Sequence, residues 1–472
     1  MRKRLFSGLL ALLLCLSFAV PAFAEDEVDK FSIINQIAIY AEQNYKFGVT
    51  SEQLKNRALE YMLENNDTDL DNVLTAMLGS LDDYTRYFTK EQYENFTGAL
   101  TASLRGIGVR VRAVKSGAAV IGVLSGSPAE KAGIKAFDII TAVGDKSLAG
   151  LTMDEAASLI QGNEATSVSL SVKRAGEEKE LNFDIVRANV EESTVSWSKL
   201  DDETAYISFT SLTLNSDVFM RKVLGEIDEA GIKKIVLDLR DNGGGYLEAT
   251  VNICSMFVPE GVVGYIDYKD PDKLETFYSD NKNPKYQLAV LINGNTASGA
   301  ELLSGTIQDT GVGKLFGEQS FGKGTVQTTA QLKNGGAIKL TIGKYYTAKK
   351  QDVAKNHINP DVAVENSYYK INDSSFHEID FDNEVKEGSV GDNVLAIEER
   401  LAALGYLDEA DNVADADTME AVALLKTAYG SDPIKKADID FLAYINSIDY
   451  SKIYKTNDRQ LKAAWDYLKG LK

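Results

Sequence analysis

A serine that could act as a nucleophile stands at residue 298, where an apolar run gives way to a helix-like segment. Ser298 follows residues 287–292, which read as a buried strand, and precedes Gly299 at the start of a predicted helix. A helix N-terminus offers free backbone N–H groups and the positive end of the helix dipole, both of which stabilise an oxyanion. Serine is also a favoured N-cap residue, so this segment taken alone favours a structural cap.

A lysine between two glycines, Lys323, could supply the base that such a serine needs. An exposed lysine has a pKa near 10.4, which leaves roughly one molecule in 2,500 neutral at pH 7. Burial can lower the pKa to about 7–8, where the amine can accept the serine proton. Gln327 lies four residues further on and could orient the lysine, as the third member of a triad does.

Glycines that follow a predicted buried strand form a second candidate feature. Residues 243–245 are three consecutive glycines. Such a turn can present successive N–H groups to an oxyanion or a phosphate. A triple glycine in isolation is more often a plain tight turn, so this signal is weak.

Histidine, cysteine and metal chemistry have few residues to draw on. The two histidines, His357 and His377, both follow these segments, and we expect them to be surface or structural residues. Cys254 is the single cysteine after residue 24, and its apolar neighbours predict a buried small hydrophobe. No cluster has a recognised metal-ligand spacing. The sequence therefore predicts no metal and no cofactor.

These residues must be positioned by a multidomain chain. Its 472 residues, 44% hydrophobic and 25% charged, are typical of two to four globular domains. Residues 25–97 show helical spacing, and residues 98–190 show short β runs. Residues 191–370 alternate strands with helices, which predicts an α/β core whose strands are buried on both faces. Residues 371–472 read as a small helical domain.

The first 24 residues have the organisation of a secretory signal peptide. A basic segment, Arg2–Arg4, precedes an apolar run and a small-x-small ending at Ala24, which predicts cleavage after Ala24. The alternative is an uncleaved, membrane-associated anchor, although the apolar run is short for a bilayer. We expect an exported protein, in a bacterial periplasm or in the extracellular or cell-wall space. The net charge of −20 argues against nucleic-acid binding.

Taken in order, these motifs resemble the carboxy-terminal processing proteases, also called tail-specific proteases. The resemblance extends from about Leu81, which opens an Asp-Asp-Tyr-Thr motif, to about Val364. It implies that Ser298 is the nucleophile, Lys323 the general base and Gln327 its orienting partner.

The same resemblance implies an oxyanion hole. The turn that contains Gly244 and Gly245 would form it together with the backbone N–H of Gly299. The family usually has proline at the position of Gly243 and often alanine at that of Gly299. Both departures leave the N–H donors of the predicted hole in place.

Residues 98–190 are similar to the PDZ domain that these proteases carry. Such a domain holds a free C-terminus with backbone amides while the peptide adds as a β-strand. Phe137 and Gln161 stand where the family usually has glycine and arginine, which leaves the ligand preference open. The residues of the implied tail-binding loop are Gly106, Ile107, Gly108 and Val109.

Residues 388–440 are similar to a peptidoglycan-binding helical module, with a generic three-helix domain as the alternative. The partners predicted from the sequence are proteins or peptides with free C-termini. Peptidoglycan binding and a homo-oligomer stay open.

The sequence as a whole predicts an exported serine endopeptidase with a Ser-Lys dyad and an acyl-enzyme intermediate. Its fold class is multidomain α/β, with an inserted β-rich PDZ-like domain and helical regions at both ends. One rival is a catalytically inactive cell-wall adaptor that binds tails and glycan. Another is an acyl-transfer enzyme acting on non-peptide substrates, for which a PDZ-like module has no purpose.

Overall fold

The computed structural model describes residues 30–101 and 103–471. The predicted signal peptide, residues 1–24, lies outside the described residues. The described residues divide into two compact units: the first contains residues 30–101, 193–365 and 460–471, and the second contains residues 103–192 and 366–459. Within the described ranges, no helix has the length and apolar character needed to cross a membrane.

The first described segment is helical, as its spacing predicts. Thr50 caps the second helix through a reciprocal capping box with Gln53. Buried residues such as Ile37, Leu74 and Met77 form a core with Ile338 and other apolar residues from later in the chain. The elements are α1 (Lys30–Asn44), α2 (Ser51–Asn65), α3 (Leu70–Gly79), β1 (Arg86–Phe88) and α4 (Lys90–Thr101).

The second segment is a β-rich module. Five of its strands form an antiparallel sheet in the order β3-β4-β5-β7-β8, with β6 added to β5. Its first and last strands, β2 and β9, pair with each other where the chain enters and leaves the module. The elements are β2 (Ser103–Gly106), β3 (Val109–Val114), β4 (Gly117–Val123), α5 (Pro128–Ala132), β5 (Ile139–Val143), β6 (Lys146–Ser147), α6 (Met153–Ile160), β7 (Ser167–Lys173), β8 (Leu181–Val186) and β9 (Ala188–Glu191).

The third segment is the predicted α/β core. Its elements are β10 (Val195–Lys199), β11 (Thr204–Phe209), α7 (Ser216–Glu229), β12 (Lys234–Asp238), α8 (Leu247–Phe257), β13 (Gly261–Tyr268), β14 (Leu274–Ser279), β15 (Gln287–Ile292), α9 (Gly299–Thr310), β16 (Gly313–Gly317), β17 (Thr325–Gln331), β18 (Ala337–Thr347), α10 (Val353–Asn356) and β19 (Val362–Ala363).

The central sheet of this core has the order β10-β11-β12-β15-β16-β19. All its neighbours run parallel except the antiparallel pair of β10 and β11. A second sheet, β1-β18-β13-β14 with β17 on β18, carries the N-terminal helices. Because parallel strands end at one edge of a sheet, the segments after β12, β15 and β16 lie side by side.

The last segment forms a small helical module, and its final helix belongs to the first unit. Strands β20 and β21 pair with each other and thereby join the start of the module to its end. Short 3₁₀ turns occupy Asp373–Ser375 and Tyr450–Lys452. The remaining elements are β20 (Ser367–Lys370), α11 (Asp392–Ala403), α12 (Ala416–Ala428), α13 (Ile439–Asn446), β21 (Tyr454–Asn457) and α14 (Arg459–Lys469).

The last helix corrects the predicted domain boundary of 371–472. Residues 460–471 belong to the first unit, because Ala464 and Leu468 of α14 pack against one face of the central sheet at Val236 and Leu291. Helices α7, α8 and α9 cover the opposite face. The prediction that the strands are buried on both faces is confirmed.

Candidate active site

Three loops meet at the carboxyl ends of neighbouring parallel strands. The glycine loop, residues 239–246, follows β12. The serine loop, residues 293–298, follows β15, and the lysine loop, residues 318–324, follows β16. The fold therefore brings together residues that lie up to 85 positions apart in the sequence.

Ser298 occupies the junction of strand and helix that the sequence predicts. Its backbone has φ 55° and ψ −119°, a conformation that residues with a side chain rarely adopt. Such strain persists only where the surrounding structure enforces it, and it is concentrated at functional sites. A sharp strand-to-helix turn of this kind presents the nucleophilic serine in α/β-hydrolases. The conformation favours a nucleophile over a plain helix cap.

The buried carboxylate of Glu301 holds Ser298 and Lys323 in place. Glu301 is 0% exposed, and its Oε2 accepts hydrogen bonds from the backbone N–H of Ser298 (2.7 Å) and of Lys323 (2.9 Å). Its Oε1 accepts from the Gly322 N–H at 2.6 Å and from the Ser320 hydroxyl. One side chain thus joins the serine loop to the lysine loop.

Glycines give the glycine loop and the serine loop their close approach. A Cβ built on Gly244 would lie 2.6 Å from the backbone nitrogen of Gly299 and 2.8 Å from the Cβ of Ser298. A Cβ on Gly245 would lie 1.8 Å from the carbonyl oxygen of Leu212. Both glycines have positive φ, 83° and 154°. Side chains at these positions would force the loops apart.

The predicted oxyanion donors are therefore adjacent, but one of them is already engaged. The N–H of Gly244 donates to Asn242 Oδ1 at 2.9 Å, inside its own turn. In this respect the structure differs from the prediction. Gly244 instead lets the glycine loop approach Ser298 closely, because it has no side chain. The N–H groups of Gly245 and Gly299 remain as the predicted oxyanion donors.

Burial and neighbouring charges set the protonation of Lys323. Desolvation lowers the pKa of Lys323 to about 8, and the positive charges of Lys339 and Arg86 act in the same direction. The negative charges of Glu301 and Asp82 oppose this shift and are outweighed. A substantial fraction of Lys323 is therefore neutral near neutral pH, as a general base requires.

The Lys323 ammonium faces an aromatic ring instead of the serine hydroxyl. Its nitrogen lies 5.1 Å from the centre of the Tyr84 ring, within the range of a cation–π contact. Among the described residues, no hydrogen bond joins the Ser298 hydroxyl to Lys323. Glu301 holds the backbones of both residues in this conformation.

Gln327 lies on β17 beside the lysine loop, but its amide is turned elsewhere. Its Nε2 donates to the hydroxyl of Thr325 (2.9 Å) and to that of Thr341 (3.3 Å). No hydrogen bond from Gln327 to Lys323 is present in the described part of the chain. The predicted orienting contact is thus not made in this conformation.

Neither His357 nor Cys254 takes part in the site. His357 Nδ1 lies 3.0 Å from the backbone oxygen of Ser320, and its ring packs against Gly322. This is the structural role that the sequence predicts. Cys254 is 0% exposed, and burial raises the pKa of its thiol far above the ordinary value, so it is a core residue.

The predicted tail-binding loop is a compact turn of the β-rich module. Ile107 is 1% exposed and belongs to the core of the module. Gly108 has φ 82°, and a Cβ there would lie 2.3 Å from the Cβ of Ser127. Gln161 packs against Gly106, with its Cγ 3.8 Å from a Cβ built there.

Phe137, the second departure in this module, has φ 69°, where glycine is favoured. The amine of Lys435 in the helical module lies 5.0 Å from its ring. Two further contacts join these modules: Lys115 N–H donates to the Gly430 oxygen at 3.0 Å, and the Ser116 hydroxyl donates to Asp432 at 2.8 Å.

A cavity of about 410 Å³ lies in the helical module. It contains none of the residues of the three loops. Among the residues described, no group of three or more histidine, cysteine, aspartate or glutamate side chains could hold a metal ion. The carboxylates that line the cavity include those of Asp408, Glu409, Asp411, Asp415, Asp417 and Glu420.

Two residues of the site were missed from the sequence. Glu301 stands three residues after Ser298, a spacing that signals a reciprocal helix cap and could have drawn attention to it. Tyr84 lies in the Asp-Asp-Tyr-Thr motif, to which the sequence assigned no role. Its contact with Lys323 joins positions 239 residues apart, which no local pattern reveals.

Two family models and several curated proteins match this chain. The model of peptidase family S41 matches residues 203–364, and a PDZ-domain model matches residues 120–174. The chain is 30% identical over 429 residues to the carboxy-terminal processing protease CtpA of Bacillus subtilis (strain 168), with 90% of each chain covered. It is 32% identical to a probable CtpA-like serine protease of Staphylococcus aureus (strain MRSA252), over 73% of this chain and 69% of that protein.

Solved structures similar to this chain include the photosystem II D1 C-terminal processing protease. The identity is 24% and the TM-score 0.44, with 72% of this chain and 94% of that chain covered. The tricorn protease aligns with a TM-score of 0.46 and 15% identity, over 71% of this chain and 34% of that chain.

The surroundings of Lys323 predict an amine that titrates near pH 8. Lys339→Gln should raise the pKa of Lys323, because it removes a positive neighbour that disfavours the ammonium form. NMR titration of ¹³Cε-labelled lysine, assigned with Lys323→Arg, measures both values.

The matched control is Lys349→Gln, which removes an exposed lysine and should leave the titration of Lys323 unchanged. A midpoint near that of an ordinary lysine in the unmodified protein would contradict the prediction.

Proposed function

The chain belongs to the carboxy-terminal processing proteases of peptidase family S41 and is a serine peptidase, and from that premise we propose that it hydrolyses peptide bonds through a Ser298–Lys323 dyad. The observation that carries the proposal is the shared Glu301 oxygen, which binds the backbone of both residues. The unusual backbone of Ser298 and the lowered pKa of Lys323 support the two roles separately.

In the proposed mechanism, neutral Lys323 turns from the Tyr84 ring towards Ser298 and accepts the proton of its hydroxyl. The Ser298 oxygen attacks the peptide carbonyl, and the N–H groups of Gly245 and Gly299 stabilise the oxyanion. Protonated Lys323 then gives its proton to the leaving amine, which departs and leaves an acyl-enzyme. Lys323 next accepts a proton from water, which attacks the acyl carbonyl. The ester bond then breaks, and protonated Lys323 gives its proton to the Ser298 oxygen as the acid is released.

The contacts of Glu301 argue against an inactive adaptor. An adaptor that only binds tails has no need for a strained serine or for a lysine whose pKa is lowered. Both features cost stability, and both persist here around one buried carboxylate. An acyl-transfer enzyme for non-peptide substrates would share the nucleophile but would leave the PDZ-like module without a purpose.

Removal of either dyad residue should abolish proteolysis. We expect Ser298→Ala and Lys323→Ala to lower kcat on an unfolded protein substrate by about 10⁴-fold or more, because each loses an essential step. Lys323→Arg should be equally inactive, since arginine stays protonated. Gel-based cleavage and thermal unfolding measure activity and folding in the same samples.

The matched controls are Ser304→Ala, in the same helix as Ser298, and Lys349→Ala, on the surface. Both should keep their activity. Substantial cleavage by folded Ser298→Ala protein would exclude the dyad.

We also propose that the PDZ-like module selects substrates by their free C-termini. The support is the match of a PDZ-domain model to residues 120–174, with the compact turn at Gly106–Gly108 directly before strand β3 of the same module. Gln161 beside Gly106 would then contact the bound tail and modify its preference.

Amidation of a substrate's C-terminus should weaken its cleavage. Loss of a charge-assisted hydrogen bond to the carboxylate should raise KM by roughly tenfold, with kcat little changed. Steady-state kinetics on a peptide pair that differs only in the terminal amide measures this. Equal KM values would remove tail recognition from the proposal.

Export is a further proposal, supported by the basic, apolar and small-residue segments of residues 1–24. In a bacterial host the full chain should be secreted and cleaved after Ala24. N-terminal sequencing of the secreted protein should therefore begin at Glu25. An intact Met1 on protein held in the membrane would support the uncleaved anchor instead.

Two predicted partners rest on the sequence alone. Peptidoglycan binding by residues 388–440 and assembly into a homo-oligomer stay predictions. The carboxylate-lined cavity of the helical module is a natural place to examine for the first of them.

A further inference from the structure

Hydrogen bonds connect each pair of the three loops. For two of the three pairs, the connecting side chains belong to the site itself. Asp241 of the glycine loop accepts hydrogen bonds from the side chains of Asn293 (3.0 Å) and Asn295 (2.8 Å) of the serine loop. Glu301 joins the serine loop to the lysine loop.

The third connection, between the glycine loop and the lysine loop, is made by helix α14. Gln460, in α14, is 1% exposed. Its Oε1 accepts a hydrogen bond from Arg240 Nη1 in the glycine loop at 3.1 Å, and its Nε2 donates to Glu318 Oε1 in the lysine loop at 3.0 Å. The same Nε2 donates to the backbone oxygen of Val364 at 2.9 Å.

The two partners of Gln460 require one acceptor and one donor, which is what a side-chain amide offers. The carbonyl end of Gln460 faces the guanidinium of Arg240, and the NH₂ end faces the carboxylate of Glu318. Arg240 is itself held by Asp238, with Nη2 to Oδ2 at 2.6 Å. Neither a hydrocarbon nor a carboxylate of the same length could satisfy both partners.

We infer that Gln460 is a positioning residue of the Ser298–Lys323 site, which sets the spacing between the glycine loop and the lysine loop. It acts through Arg240 and Glu318 and touches neither reacting group. The glycine loop carries an oxyanion donor and the lysine loop carries the base, so a change in their spacing misplaces both relative to Ser298. The inference rests on the proposed function. It gives helix α14 a part in positioning the site.

Gln460→Met tests this role, because it keeps the volume of the side chain and removes its polar atoms. We expect kcat to fall roughly tenfold, since small misplacements of catalytic groups are costly. KM should stay within about twofold, because no tail-binding residue is touched. Hydrogen exchange of residues 239–246 and 318–324 should become faster.

The matched control is Trp465→Phe in the same helix, which loses the indole hydrogen bond to Asp201 (2.7 Å) and no contact with the three loops. It should show unchanged kcat and unchanged exchange in those loops. A Gln460→Met protein that matches this control in both measurements would overturn the inference.

A double variant that exchanges the amide of Gln460 and the carboxylate of Glu318 tests the pairing by rescue of kcat. Gln460→Glu places a carboxylate against Glu318 and should lower kcat further. In the double variant Gln460→Glu/Glu318→Gln, the amide introduced at position 318 can donate to the carboxylate introduced at position 460, while Arg240 keeps its acceptor. We expect kcat to recover to within about threefold of the unmodified enzyme. A double variant no better than Gln460→Glu would contradict the pairing.

The exchange measurement separates this inference from the proposed function. An unmodified protein that cleaves nothing would end the proposed function, and faster exchange in Gln460→Met would then show only that Gln460 holds the glycine loop and the lysine loop together. An active unmodified protein with a Gln460→Met variant like Trp465→Phe would end the inference alone.

Discussion

The catalytic unit depends on one buried carboxylate. Glu301 lies out of reach of solvent, where an ionised group is tolerated only if hydrogen-bond donors surround it. Those donors come from both sides of the site: the Ser298 N–H on one side, and the Ser320, Gly322 and Lys323 groups on the other. Satisfying the carboxylate therefore fixes the relative positions of the two loops and holds Ser298 in its strained conformation.

The same arrangement keeps the base usable. Glu301 binds the backbone of Lys323 and not its ammonium, so its charge raises the pKa of Lys323 less than desolvation lowers it. A direct ion pair would have held the amine protonated. The ammonium instead rests near the Tyr84 ring, a weak contact that it can leave.

Local patterns predicted much of the fold, and non-local contacts explain what was missed. The apolar runs of β12 and β15 and the helix after Ser298 are visible in the sequence because they depend on neighbouring residues. The engagement of the Gly244 N–H by Asn242 and the direction of the Gln327 amide depend on coordinates. The local sequence predicts that α14 is helical, but it does not predict the surface against which α14 packs. Sequence alone therefore assigns this helix to the preceding module.

The placement of α14 also has a consequence for the order in which the molecule is completed. The catalytic unit is assembled from three stretches of chain, with one module inserted before the central sheet and another before the last helix. One face of that sheet, at Val236 and Leu291, is covered by helix α14. During synthesis this apolar face therefore stays exposed after the sheet itself has been made, until the residues of α14 have also left the ribosome.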